Sequence, residues 1–269
     1  MIFYVWLGDE LEDLCNLLFE LSNEDRLRVL HYLREEPSKV SGLARALGIT
    51  NQEASRHLSR LTEAKVVLRD ADGLFNLTPL GELVLTQLRG LSFVAEHPAY
   101  FASHLLNEVP QRFLCRLCEL EASTPVDDIM VVLYNVERVI DEAEEHVWRL
   151  TDRYDMMALP ELEEATGRGV EFRLMQTRGF EYPPDWSGTG IILRDARLKG
   201  VFNLKVSDEA NVFLAISEKE VAALSFPTQS GRFDYLGFTS KDERVINWCH
   251  ELYEYYWEKA RWGPGFGSG

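Results

Sequence analysis

The 269-residue chain has no apolar run of about 18 residues, the length a helix needs to cross a bilayer. Cysteine is scarce. Four residues (Cys15, Cys115, Cys118, Cys249) are too few for a disulfide framework in a chain this long, and the expected compartment is the cytoplasm. The first ten residues, MIFYVWLGDE, carry no basic stretch ahead of their short apolar run and no small-residue cleavage site, so they make a poor signal peptide. Low-complexity blocks are missing. So are metal-ligand spacings and a convincing acid–base pair: Asp152, Asp155 and Glu161 offer carboxylates without either arrangement. The expectation is therefore a protein without catalytic residues, metal or cofactor. Positive charge is also in deficit, with 28 Lys and Arg against 44 Asp and Glu and a net charge of −16. What is present is enough apolar residue, 46% of the chain, for two domains that each bury a core.

The charge deficit is uneven. Between residues 38 and 69 six basic residues (Lys39, Arg45, Arg56, Arg60, Lys65, Arg69) face two acidic ones (Glu53, Glu63). That locally positive stretch has the pattern of a helix-turn-helix. Leu43, Ala44 and Leu47 form one short apolar face, and Gly48 breaks the helix. Thr50 and Glu53 have the spacing of a capping box. The following helix turns Ala54, Leu58 and Leu61 inward and leaves Gln52, Ser55, Arg56 and Ser59 outward. A helix with a hydrophobic back and an uncluttered polar front suits a major groove. Two β-type runs, Val66–Arg69 and Leu74–Leu77, follow as a hairpin wing around Asp70–Gly73. The acidic remainder of the chain weakens non-specific attraction to DNA and sharpens its salt dependence.

Around this motif, Leu11–Leu21 reads as a helix striped by Leu14, Leu17, Leu18 and Leu21. Ser22 is expected to cap the next helix, Glu24–Arg34, which buries Leu27, Leu30 and Leu33. A helix from Leu80 to about Leu91 leaves the wing. Residues 90–121 read as two connector helices split near Pro110. From residue 126 strands and helices alternate: a helix over Ile129–Glu145 striped by Val132, Val136, Val139, Ile140 and Ala143; strands at His146–Leu150 and Val170–Met175 flanking a helix near Pro160–Thr166; and, after a loop at Gly179–Gly188, strands at Ile191–Leu193, Val201–Val206, Val212–Ile216 and Ala222–Phe226, with Tyr235–Phe238 a further candidate. The last helix, Asp242–Trp262, carries apolar residues over roughly 200° of its circumference, more than one covered face needs. Either the connector helices or a second subunit is expected on its other side. The GPGFGSG tail reads as disordered. The fold class is α+β and multidomain: a winged helix-turn-helix (1–92), a helical connector (93–125) and an α/β effector-sensing domain (126–269).

The helix-turn-helix resembles those of ArsR-type winged-helix regulators. The runs LSFVAEHPAYFASHLLNEVP and GFTSKDERVINWCHELYEYYWEKA, with the strand–helix alternation between them, resemble the archaeal methanogenesis regulatory proteins over nearly the whole chain. That resemblance implies a transcriptional regulator whose C-terminal half is a sensor, related in shape to the phospholipase-D-like effector domain of TrmB regulators. Phospholipase-D chemistry needs a His-x-Lys pair. None of His31, His57, His97, His104, His146 and His250 has lysine two residues on, so the fold is expected to bind rather than hydrolyse.

These readings place double-stranded DNA on Lys39, Ser41, Asn51, Gln52, Ser55, Arg56, Ser59, Arg60 and Arg69, with Arg60 on the flank for a phosphate. The wing tip, with Asp70 and Asp72, suits DNA less well. Trp148, Arg173 and Arg194 are the candidates for a small-molecule effector; Arg197, Lys199, Tyr182 and Trp186 lie near them in sequence. Cys115 and Cys118 read as small hydrophobic packing residues, with redox sensing and metal binding as the alternatives. His97 and His104 read as core or hydrogen-bonding residues. A homodimer is expected through Leu11–Leu21, the helix after the wing or the final helix, with no membrane contact. The alternative function is a protein-interaction adaptor whose winged helix does not bind DNA. A nucleic-acid hydrolase is the remote third.

Overall fold

The computed structural model describes residues 8–153, 159–181 and 196–263. Within that range no helix is long and apolar enough to cross a membrane. The protein is a mixed α+β chain that divides into two compact units, Met1–Arg89 and Gly90–Gly269.

The first unit is helical with a small hairpin. Its elements are α1 (Gly8–Leu21), α2 (Glu24–Glu35), α3 (Val40–Leu47), α4 (Asn51–Glu63), β1 (Val67–Arg69) and β2 (Phe75–Leu77), and α5 (Pro79–Glu96) begins in it. Asn23, not Ser22, caps α2. Its side chain accepts the Arg26 amide at 3.1 Å, while the Ser22 hydroxyl donates back to the Phe19 carbonyl. Two adjacent capping-type residues competed for one position, and the backbone geometry favoured the second. Leu30, Leu33, Leu43, Ala54, Leu58, Leu61 and Val66 close one core. Leu27 is only half-buried at its edge. β1 and β2 pair antiparallel, Val67 opposite Leu77 and Arg69 opposite Phe75. The first turn of α5 lies directly on the hairpin: a Cβ at Gly81 would stand 2.2 Å from the Val66 carbonyl oxygen. The Thr78 hydroxyl accepts the Gly81 amide and starts that helix.

The second unit is a sheet covered by helices on both faces. It contains α6 (Pro98–Ser103), α7 (Gln111–Leu114), a 3₁₀ turn (Leu117–Leu120), β3 (Thr124–Val126), α8 (Ile129–Glu142), β4 (His146–Arg153), α9 (Leu159–Gly167), β5 (Glu171–Glu181), β6 (Phe202–Val206), β7 (Phe213–Ser217), β8 (Val221–Ser225), β9 (Gly237–Ser240), α10 (Glu243–Lys259) and β10 (Arg261–Trp262). The strand order is β10-β6-β5-β4-β7-β8-β9-β3. β4, β5 and β6 run parallel and the other neighbours antiparallel. Alternation along β7 shows the layering. Phe213 and Ala215 face the core with α8 and α9, whereas Leu214 and Ile216 face the core with α10. Helical cover on two faces makes β7 buried at every position.

Residues 93–125, expected as a separate connector, fall within the second unit, which begins at Gly90. Phe93, Val109, Phe113 and Leu120 share a core with Trp248, Leu252, Tyr253 and Tyr256 of α10. Trp248 Nε1 donates to the Phe113 carbonyl and the Tyr256 hydroxyl to the Glu108 carbonyl. This segment covers the second side of α10 and withdraws that helix as a dimer surface. The segment is also more broken than two helices, because the four-residue α7 and the 3₁₀ turn follow Pro110. Helix α10 ends at Lys259, two residues short of an edge strand that pairs with β6. The expected strand Ile191–Leu193, most of the Gly179–Gly188 loop and the GPGFGSG tail beyond Gly263 lie outside the described residues.

Candidate nucleic-acid interface

Helix α4 is held from its first residue. The Thr50 hydroxyl accepts the Glu53 amide at 3.2 Å, and the Glu53 carboxylate accepts the Thr50 amide at 2.9 Å. The Thr50 amide first, and then the Thr50 hydroxyl, which donates to the carboxylate at 2.8 Å, hold the Glu53 carboxyl below the usual carboxylate range. Gly48 provides the turn before it, at φ 69° in the left-handed region that favours glycine. The buried side of α4 is complete, with Ala54 and Leu61 at 0% and Leu58 at 1% exposure.

The opposite side is open. Asn51, Gln52, Ser55, Arg56 and Ser59 are all exposed. The Ser59 hydroxyl donates to Glu63 at 3.2 Å. Among the described residues, Asn51, Gln52, Ser55 and Arg56 make no side-chain hydrogen bond or ion pair. Lys39 and Ser41, at the start of α3, are exposed as well. The structure thus brings Asn51, Gln52, Ser55, Arg56 and Ser59 onto one ridge.

Two expected phosphate contacts are engaged elsewhere. Arg60 grips Glu20 with both ends of its guanidinium, at 2.8 and 2.5 Å, and lies 5.2 Å from the Phe19 ring. Glu20 is largely buried and needs that partner, which holds its carboxyl below the ordinary range. Arg60 therefore ties α4 to α1. Arg69 folds over the hairpin, donating to the Gly73 carbonyl at 3.4 Å with its guanidinium 5.7 Å from the Phe75 ring. Asp70, which looked merely repulsive in sequence, organises the turn. One carboxylate oxygen accepts the amides of Asp72 and Leu74, and the other accepts the Asn76 side chain.

His57 was not among the expected site residues. It sits on α4 but points inward, 5% exposed, with Nδ1 unpartnered and Nε2 4.0 Å from Asp25. Burial, first, pushes its pKa below the ordinary histidine value, and Asp25 partly opposes this. The sequence signal was the spacing Ala54–His57–Leu58–Leu61, which puts a histidine on the apolar face.

In the second unit the side chains of two effector candidates, Trp148 and Arg173, are already engaged. Trp148 stacks on Tyr253 at 5.2 Å and lies 4.5 Å from the Arg173 guanidinium. Arg173 pairs with Glu171 at 3.1 Å and Glu254 at 2.7 Å. An arginine neutralised by two carboxylates is a poor anion receptor. Arg194, Tyr182 and Trp186 fall outside the described residues, while Arg197 and Lys199 lie exposed ahead of β6. Open space lies instead at the carboxyl ends of the parallel strands. A cavity of about 620 Å³ is bounded there by Asp152, Thr177, Glu181, Glu209 and Arg232. Asp152 accepts the Tyr235 hydroxyl at 2.8 Å. Cys115 and Cys118 are free thiols, the first exposed and the second half-buried, so Cys115 is not a packing residue. His97 precedes α6 and packs edge-on against Phe93, whereas His104 follows α6 and binds Asp234 at 3.2 Å, so the two share no continuous helix.

Residues 16–96, well under half of the chain, match a family described as the HVO_A0261 N-terminal domain. No curated protein matches the sequence. Among solved structures the chain is similar to TrmBL2, an archaeal chromatin protein, at 15% identity and a TM-score of 0.41, covering 90% of this chain and 94% of that one. It is also similar to Nuc, a phospholipase D family member from Salmonella typhimurium, at 12% identity and a TM-score of 0.34, covering 49% of this chain and 90% of that one. NucT from Helicobacter pylori stands at 13% and 0.37, covering 52% and 97%. At such scores the likenesses carry no weight.

Proposed function

We propose that the protein is a DNA-binding transcriptional regulator. Its first unit acts as a winged helix, with α4 as the recognition helix and the β1–β2 hairpin as the wing. The observation that carries this is the unpaired polar ridge Asn51, Gln52, Ser55 and Arg56 on a helix whose other face is fully buried. Arg56 and Gln52 are suited to bidentate contacts with purine edges, and Lys39 and Ser41 to the phosphates beside them. The regulator acts as a homodimer in this reading, supported by the exposed stripe Leu11, Leu14 and Leu18 on α1. Two readers then meet half-sites about one helical turn apart. An effector of the second unit is proposed to occupy the cavity at the strand ends, where open α/β sheets hold ligands.

Replacing Arg56 by alanine is expected to weaken operator binding about tenfold, within the roughly 1–3 kcal/mol of one base-edge contact, with the thermal midpoint unchanged. Unchanged affinity in a gel-shift titration contradicts the assignment. The net charge of −16 and the acidic wing tip favour the adaptor as the second reading. A titration with salt separates the two. A DNA reader loses affinity linearly in log salt, whereas an adaptor binds no duplex at any salt.

A further inference from the structure

Arg60 stands one turn beyond Arg56 on α4, at the flank of the polar ridge. Its guanidinium is held by the last turn of α1. Nε and one terminal nitrogen donate to the two carboxylate oxygens of Glu20, at 2.8 and 2.5 Å, and Cζ lies 5.2 Å from the centre of the Phe19 ring. A fork of two parallel N–H···O bonds is how arginine grips a carboxylate, and equally how it grips a phosphate. Glu20 thus fills Arg60 in the manner of a phosphodiester.

The pair lies at the surface. The Arg60 side chain is 40% exposed and Phe19 60%, so the guanidinium can leave without opening the core. Glu20 is 17% exposed, and a second cation, Arg26, stands 3.5 Å from its carboxylate. Arg26 also donates to the carbonyls of Phe19 and Glu20. Release of Arg60 therefore leaves the end of α1 anchored and leaves Glu20 one of its two counter-charges. The rest of α1 is lightly packed: Leu21 is buried and Leu17 half-buried, while Leu11, Leu14 and Leu18 are exposed. Segments with so few buried contacts are the ones that shift most easily.

Taking α4 as the recognition helix, we propose that Glu20 is an internal competitor of DNA: it keeps Arg60 from a backbone phosphate beside the groove, and full affinity is reached only when that phosphate displaces the carboxylate. The linkage runs both ways. Contacts that shift the last turn of α1 tune the grip on DNA, and DNA loosens the tie between α1 and α4.

The test is a titration of sheared genomic duplex with the full chain, at salt between about 50 and 200 mM, for the wild type, Glu20→Gln, Arg60→Ala and the double variant. Freeing Arg60 adds one phosphate contact. Glu20→Gln is therefore expected to steepen the slope of log affinity against log salt by about 0.9 and to tighten binding about eightfold near 0.1 M. Arg60→Ala is expected to change wild-type binding little and to undo that gain in the Glu20→Gln background. Glu12→Gln removes the same charge from an exposed position of α1 and is expected to keep the wild-type slope. Where Glu20→Gln lowers the thermal midpoint, Glu20→Asp replaces it, keeping the charge beside Arg26 while shortening the reach to Arg60. Wild-type slopes for Glu20→Gln and Glu20→Asp, or an equal cost of Arg60→Ala in both backgrounds, overturn the proposal and leave the DNA reading standing. Absence of duplex binding by every one of these proteins overturns both.

Discussion

On α4 the imidazole of His57 points into the helical core while its neighbours Arg56 and Ser55 point to solvent. Its depressed pKa means that the folded first unit holds the neutral ring. Protonation therefore favours the unfolded chain. The stabilisation is complete above the ordinary histidine value of about 6.5 and is lost as the pH falls below it toward the folded value. Thermal unfolding of the first unit is expected to soften between about pH 7 and pH 5, and His57→Leu to flatten that dependence. His146 and His250, also depressed by burial in the second unit, have the same sign. The wild-type-minus-variant difference isolates His57, and equal slopes for both proteins contradict the account. At this scale the sequence was legible where partners are close. Thr50 and Glu53 are three residues apart, and their capping box was readable. Arg60 and Glu20 are forty residues apart, and Arg173 and Glu254 eighty-one. No local pattern announces such pairings, so both arginines read as free cations.

Helices with one apolar stripe were readable as elements, because the 3.6-residue period is written locally. The stripe of α8 and the inward side of α4 are examples. Elements that depend on a distant neighbour were not readable. β3 is three residues long with a central proline and exists because β9 pairs with it. β10 exists because β6 offers an edge, which cost α10 its expected last turn. The junction of hairpin and α5 is a tight point of the same kind. Gly81→Ala drives a methyl group into the Val66 carbonyl and is expected to destabilise the first unit by about 2 kcal/mol, the ordinary cost of overpacking. A thermal midpoint unchanged by that substitution shows that the helix and hairpin move apart freely, and contradicts the rigid wing.

For the whole molecule, the sum of charges misled less than it might have. The chain is strongly acidic, yet Lys39 ahead of α3, Arg45 in its last turn and Arg56 on α4 are all exposed. The mixed α+β class was readable from the change of periodicity near residue 126, although the two compact units divide between Arg89 and Gly90. The position of residues 93–125 was not, since whether short apolar helices join one core or bridge two depends on what they pack against. Their union with α10 buries that helix on a second side, while Leu11, Leu14 and Leu18 of α1 and Leu80, Leu83 and Leu91 of α5 stay exposed.

The central claim is that α4 enters a major groove, and methylation interference tests it most directly. Duplexes that the protein itself selects from genomic fragments are lightly methylated at guanine N7, which lines the major groove, and sorted into bound and free. The account predicts that N7 methylation within each half-site excludes duplexes from the bound fraction, and that Arg56→Ala erases the interference at one guanine per half-site. Interference confined to adenine N3 in the minor groove, or a pattern indifferent to Arg56, contradicts it.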